Sequence, residues 1–287
     1  MAFNIKKHDR VVDRALEKIK ADVFDNVKAL ENRVADIIAQ ELPPEMVRPQ
    51  ILAAFTEQSQ TVKDAAQPLT TISEDFMAQS KRPAGPEDFL SQSQLLDLSS
   101  EELSNTMSSG GEDVVKTVVL GTVAGLGTAT LINQARGRIS GIQMDSTDPD
   151  VRREQRKLRK LVKGGASAAL VNQSTNKLRR MLPGSVNTAG SIVVKLTTTA
   201  DNVVGSYNGT YAKAQGTRNG VEEFEYVGGV MATSRPFCVS MIGSRMNAED
   251  IQNLWDGSSW AGKEPGDPFV VRGGYNCRHY WVPVEEE

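Results

Sequence analysis

The first 206 residues of this 287-residue chain contain no Trp, no Tyr and no Cys. Their aromatic content is five Phe, which suits helices packed through Leu, Val, Ile and Ala and leaves little material for an aromatic binding platform. Two Cys in the whole chain exclude a disulfide framework. There is no Gly-rich phosphate loop, no HExxH and no paired-carboxylate motif, so the recognisable hydrolase, kinase and metalloprotease signatures are absent. The start Met1-Ala2-Phe3-Asn4-Ile5-Lys6-Lys7 carries basic residues but no apolar h-region; no secretory signal is read, and synthesis in a reducing cytoplasm is the expectation. A net charge of −3 gives no global electrostatic case for nucleic acid.

What is present upstream is helical patterning. Over residues 5–42 apolar side chains fall at Val12, Leu16, Ile19, Val23, Val27, Leu30, Val34 and Ile38, with no Gly or Pro before Pro43-Pro44. The steps recur every eleven residues (Val12/Val23/Val34, Leu16/Val27/Ile38), which keeps the stripe on one face. Such a face belongs in a bundle or against a partner protein or another copy of the chain, and these eight residues are the candidate partner-packing set. A second helix is expected over about residues 46–66. Residues 67–110, rich in Ser, Gln, Pro and Gly, read as an irregular linker with short helical turns. Helix resumes over 112–142, where Val118–Ile132 is uncharged and Gly121 and Gly125 set a small-xxx-small spacing for close helix packing. Fifteen uncharged residues fall short of the ~20 that span a bilayer, so a buried helix is the primary reading and a membrane-active one the alternative.

After Ser146-Thr147-Asp148-Pro149 comes a basic helix in which Arg152, Arg153, Arg156, Lys157, Arg159, Lys160 and Lys163 face one acid, Glu154. This is the chain's one polyanion footprint, suited to DNA phosphates or to an acidic partner surface, with no interleaved aromatic for base stacking. The residues after 206 differ in chemistry. All three Trp, all five Tyr and both Cys lie there, and so does His279, one of the two His. A polar helix is expected over 187–214, then a strand in Val221–Met231, a short helix Ala248–Leu254 capped by Asn247, and short strands at Phe269–Arg272 and Tyr280–Val284.

Cys238, Cys277 and His279 are the soft-ligand candidates. Cys277-x-His279 is too tight for paired zinc-ligand spacing and the region has no fourth Cys or His, so no metal and no cofactor is expected. A Cys/His nucleophile pair lacks a third orienting group, and no catalytic residues are assigned. The plainer expectation is a packed core formed by Cys238, Cys277, His279, Trp281, Tyr226 and Tyr275.

The blocks Phe224-Glu225-Tyr226, Ser234-Arg235-Pro236-Phe237-Cys238, Gly273-Gly274-Tyr275-Asn276-Cys277-Arg278-His279 and Trp281-Val282-Pro283-Val284 together resemble the C-terminal domain of Mu F-like phage minor head proteins, over roughly residues 187–284. Two positions depart from that pattern: Met231 stands where an acidic residue is common, and His279 where many members carry a second Cys. The resemblance implies a non-enzymatic virion protein present in low copy number at the portal vertex, assisting head assembly, DNA packaging or genome delivery. Its partners would be the portal protein, other head proteins, further copies and packaged double-stranded DNA. The alternatives are an ejection protein with a membrane-active helix over 112–142, and a small Cys/His enzyme or toxin-like module. The fold class expected is α+β: an extended, mostly helical body carrying a small C-terminal α+β domain with a few short antiparallel strands. The segments are 1–66, 67–110, 111–186 and 187–287.

Overall fold

The computed structural model describes residues 3–80, 84–141, 149–163, 191–230, 234–274 and 277–284, together with 166, 170, 173, 174 and 177. Met231 and Tyr275 lie outside the described residues, as do the side chains of Arg152, Arg159 and Lys163. The chain is mostly helical with one small antiparallel sheet, the α+β class expected. Helices are α1 Ile5–Ala39, α2 Pro44–Thr61, a 3-10 turn Val62–Leu69, α3 Thr70–Gln79, α4 Pro86–Ser108, α5 Gly111–Val123, α6 Thr128–Ile139, α7 Pro149–Lys163, α8 Ile192–Arg218, α9 Pro236–Met241, α10 Ala248–Gly257 and α11 Pro268–Val271. Strands are β1 Glu223–Val227, β2 Arg245–Met246 and β3 Tyr280–Val284. The described contacts group into two compact units assembled from discontinuous stretches, where four consecutive segments were expected.

One unit comprises Glu17–Ala66 and Ser100–Thr199. Ile19, Val23, Val27, Leu30, Val34 and Ile38 are buried there within the chain itself. Burying six such side chains contributes on the order of 10 kcal/mol before chain entropy is subtracted. These six residues of the stripe are therefore buried within the chain itself, as a face packed in a bundle would be. Helix α2 packs on α5, with Gly111 against the Phe55 ring. The uncharged stretch expected as one helix is instead a hairpin of α5 and α6. Gly125 sits at φ +72°, a left-handed conformation that ends α5, so its role is to turn the chain and not to pack it. Gly121 does pack: a Cβ there would fall 2.4 Å from Leu131 Cδ2. Leu120, Val123 and Leu126 at the hairpin tip are exposed, and among the described residues no helix is long and apolar enough to cross a membrane.

The other unit comprises Met1–Leu16, Gln67–Ser99 and Ala200–Glu287. Here the irregular linker expected over 67–110 is overturned by α3 and α4. The signal was missed because the apolar residues of the buried faces, Ile72, Phe76, Leu103 and Met107, are interrupted by buried polar ones: Ser73, Asp75, Asp88, Ser99 and Ser104. Serine hydroxyls fold back on the helix, Ser91 Oγ donating to the Glu87 carbonyl at 2.9 Å and Ser99 Oγ to Leu95 at 2.7 Å. Where α1, α3 and α8 meet, His8 is fully buried, its Nδ1 2.8 Å from Asp75 Oδ2 and its Nε2 2.9 Å from Asn208 Oδ1.

The sheet has order β2-β1-β3, with Phe224 opposite Met246 and Tyr226 opposite Trp281. Alternation divides its faces. Phe224, Tyr226 and Trp281 join Cys238, Ile251, Phe269 and Cys277 in one core, while Val227, Tyr280 and Val282 pack on the other face with Phe3 and Ile5. Helix α10 begins as expected, Asn247 Oδ1 accepting from the Asp250 amide at 2.8 Å. The strand expected at Phe269–Arg272 is corrected to α11. Asp267 caps it by accepting from the Phe269 amide at 2.9 Å and Pro268 occupies the first turn, so this start signal outweighs the β-propensity of Phe-Val-Val.

Candidate functional site

Three elements converge on the thiols. β1 presents Tyr226, α9 presents Cys238, and the extended approach to β3 presents Cys277 and His279. The two sulfurs lie 3.6 Å apart as free cysteines, and Tyr226 Oη stands 3.6 Å from Cys238 Sγ and 3.7 Å from Cys277 Sγ. His279 Nδ1 is 3.6 Å from Cys277 Sγ, as expected for residues two apart on an extended chain. The His279 ring lies nearly parallel to Tyr226, with centroids 5.8 Å apart. All of these groups are buried, and His279 Nε2 has no hydrogen-bond partner among the described residues.

Neighbouring residues shape the site. Arg272, also buried, donates from Nη1 to the Cys277 carbonyl and from Nε to Val270 O at 3.2 Å. Its guanidinium fits because position 205 is glycine: a Cβ there would fall 1.6 Å from Arg272 Nη1. Gly273 crosses directly over the thiols, where a Cβ would meet Cys238 Sγ at 2.3 Å and Cys277 Sγ at 2.8 Å. An aromatic wall closes one side, with Phe237 stacked on Trp260 at 3.8 Å and Trp260 Nε1 donating to Gly273 O at 3.1 Å.

The two thiols respond to this setting in opposite directions. Cys277 is pulled below the ordinary thiol range by the hydrogen bond from Cys238 and by His279 and Arg272, against the opposing effect of burial. Cys238 is pushed up, first because it keeps the shared proton and then because it is buried. Burial likewise raises the Tyr226 hydroxyl. The pair thus favours one thiolate, at Cys277, with Cys238 as its donor.

Cys277 and Arg272 also line a cleft of about 370 Å³, with Asp9 and Asp13 from α1 and Asp201 and Asn208 from α8. Tyr280 Oη donates to Asp9, and Arg278 pairs with Asp201 at 3.6 Å. Val12 and Leu16, the first two members of the α1 stripe, are half-buried in its wall.

The structure therefore brings Cys238, Cys277, His279, Trp281 and Tyr226 into one place. It adds Arg272, Gly205 and Asn208, to which sequence reasoning gave no site role, and sets Gly273, quoted there only as part of a block, over the thiols. The Gly205/Gly209 spacing on α8 was the available signal: a Cβ at 209 would lie 1.9 Å from Phe269 O, so both glycines exist to admit the segment around Arg272. On α7, Arg153, Arg156, Lys157 and Lys160 are exposed. The helix carries two acids: Asp150 pairs with Arg153 at 3.1 Å, and Glu154 is buried, pairing with Lys157 at 3.7 Å and accepting from Ser174 Oγ at 2.8 Å and Lys177 Nζ at 2.7 Å, so the face stays basic in excess with Arg153 and Lys157 partly offset. Comparison with family models, with curated proteins and with solved structures finds no match for this chain.

Proposed function

We propose that this chain is a minor structural protein of a tailed-phage head, built in at the portal vertex and assisting head assembly, DNA packaging or genome delivery. The observation that carries the reading is the residue pattern of the C-terminal region. Five of the positions resembling Mu F-like minor head proteins meet in a single core: Phe224, Tyr226, Cys238, Cys277 and Trp281. In this reading the C-terminal module would serve as a docking unit, with the portal protein, other head proteins or further copies as its partners. The exposed basic side of α7 supports contact with packaged double-stranded DNA or with an acidic portal surface. The reading places the protein in the virion after synthesis in the host cytoplasm, and gives it no enzymatic step.

The test is composition and position. Purified proheads and mature particles of the phage encoding this chain should contain it at low copy number, and a map of the particle should place it at the portal vertex. Particles that lack the protein at both stages, with normal heads formed when its gene is deleted, would refute the reading.

A further inference from the structure

We propose that Cys238, Cys277 and His279 bind one thiophilic divalent cation of the zinc class, in a tetrahedral site whose fourth vertex faces the Tyr226 hydroxyl. Zinc bonds of about 2.3 Å to sulfur and 2.0–2.1 Å to nitrogen place tetrahedral ligands roughly 3.8 Å apart for a sulfur pair and 3.6 Å for sulfur with nitrogen. The observed Cys238–Cys277 separation is 3.6 Å and the Cys277–His279 Nδ1 separation 3.6 Å, so two edges already have the required length. The three donor atoms all lie within 4.8 Å of one another, and the Cys238–His279 edge is the one that shortens on binding. Tyr226 Oη, at 3.6 and 3.7 Å from the sulfurs, is spaced as a fourth vertex would be.

A pair of packed thiols would show the same sulfur–sulfur distance, so the decision rests on His279. It is 3% exposed; one ring nitrogen faces only a sulfur at 3.6 Å and the other faces no partner among the described residues. As packing, that leaves a buried polar ring nearly unsatisfied, which is unfavourable. As a ligand, Nδ1 forms a coordinate bond with its lone pair and is satisfied, while the proton resides on Nε2, which has no partner among the described residues in either reading. Charge also balances: a dication with two thiolates and a neutral imidazole has no net charge, which lets the centre stay buried. Both sulfurs bind as thiolates, so the thiol proton still held by the pair is released to solvent on binding. The sulfur-rich donor set selects zinc-class ions over magnesium or calcium. Cys277 also lines the cleft, which supplies an entry path.

The full-length protein, reduced and freed of metal, is titrated with cobalt(II) as the probe. The expected result is a thiolate-to-cobalt charge-transfer band with tetrahedral visible bands, saturating at about one ion per chain and displaced by zinc. Cys238→Ser and His279→Ala should each abolish stoichiometric binding with the far-ultraviolet circular dichroism unchanged, and His279→Cys should restore it. Unfolding the titrated sample and counting thiols confirms that both were reduced. Two free thiols with no cobalt band would overturn the proposal, as would a band that survives in Cys238→Ser, or recovery of the protein with a Cys238–Cys277 disulfide that mild thiol reductant leaves intact. If a variant loses its fold, zinc content of the purified wild-type chain decides: about one ion per chain supports the site, and none overturns it.

Discussion

Replacing Asp75 with Asn should destabilise the unit that contains it by about 2 kcal/mol at neutral pH, and the loss should fade in acid. Asp75 on α3 has a nearly sealed carboxylate that accepts from His8 Nδ1 at 2.8 Å, Lys7 Nζ at 2.9 Å and Gln79 Nε2 at 2.6 Å. Burial alone would raise its pKa, but the contacts with His8, Lys7 and Gln79 outweigh it and hold the group at about 2, against an ordinary 3.8. A folded-state pKa below the unfolded one means that the unfolded chain binds the proton more readily. The carboxylate's contribution is therefore complete above the unfolded pKa and is lost as pH falls towards 2. A drop of this size corresponds to roughly 2–2.5 kcal/mol. Urea unfolding followed by Trp fluorescence is the suitable assay, because Trp255, Trp260 and Trp281 all lie in the same unit as Asp75. At a slope of about 2 kcal/mol per molar, the Asp75→Asn midpoint should fall by roughly 1 M at pH 7. The gap between wild type and variant should narrow steadily between pH 5 and pH 3. A gap under about 0.5 kcal/mol at pH 7, or one that is independent of pH, would refute the assignment of Asp75 as a buried, charged anchor for α1.

Gly205→Ala should cost about 2–4 kcal/mol, since its Cβ would displace the Arg272 guanidinium from a closed position, while Gly257→Ala, with open space around it, should change stability by under about 0.5 kcal/mol; thermal denaturation of both checks the contrast. Trp281→Ala should cost about 3–5 kcal/mol in the same urea assay, because its ring, 4.8 Å from Tyr226 and 6.2 Å from Phe269 between centroids, fills the centre of the C-terminal core. If α7 contacts DNA, replacing Arg153, Arg156, Lys157 and Lys160 with Gln should reduce the slope of log affinity against log salt by roughly 0.9 for each lost phosphate contact, measured by fluorescence anisotropy on duplex DNA; an unchanged slope would remove α7 from the DNA-binding surface.

The parts of the fold that were legible in the sequence are those whose signal is local and apolar. The α1 stripe from Ile19 to Ile38, the alternation through Phe224 and Tyr226, and the Asn247 cap each express themselves within a few residues. Helices α3 and α4 were not legible because their inward faces carry Ser73, Asp75 and Asp88, whose burial is compensated by partners far along the chain. Asp88 accepts from Gln215 and pairs with Arg218, about 130 residues away, and no hydrophobic period records such a match. The exposed tip of the α5–α6 hairpin was misjudged for a different reason. Its residues are as apolar as buried ones, and only the left-handed conformation of Gly125 turns them outwards.

If Cys238, Cys277 and His279 do hold a cation, they form a site that the spacing rule does not describe. Ligand spacings such as Cys-x2–4-Cys describe sites in which one tight turn supplies a pair of ligands, so the single residue between Cys277 and His279 argued against a metal. That argument presumes a turn. Here the two residues lie on extended chain leading into β3, where side chains two apart share a face, and the short spacing is what brings Nδ1 to 3.6 Å from Sγ. The remaining donor, Cys238, enters from α9, 39 residues upstream, next to the strand whose Tyr226 pairs in register with Trp281. The sheet register does the work that the loop does in a knuckle, and it works only because Gly273 lets the backbone pass within contact distance of both sulfurs. Gly273→Ala is consequently the substitution that should separate the sulfurs while leaving all three donors in the chain, and it should weaken cobalt binding although no ligand has been removed.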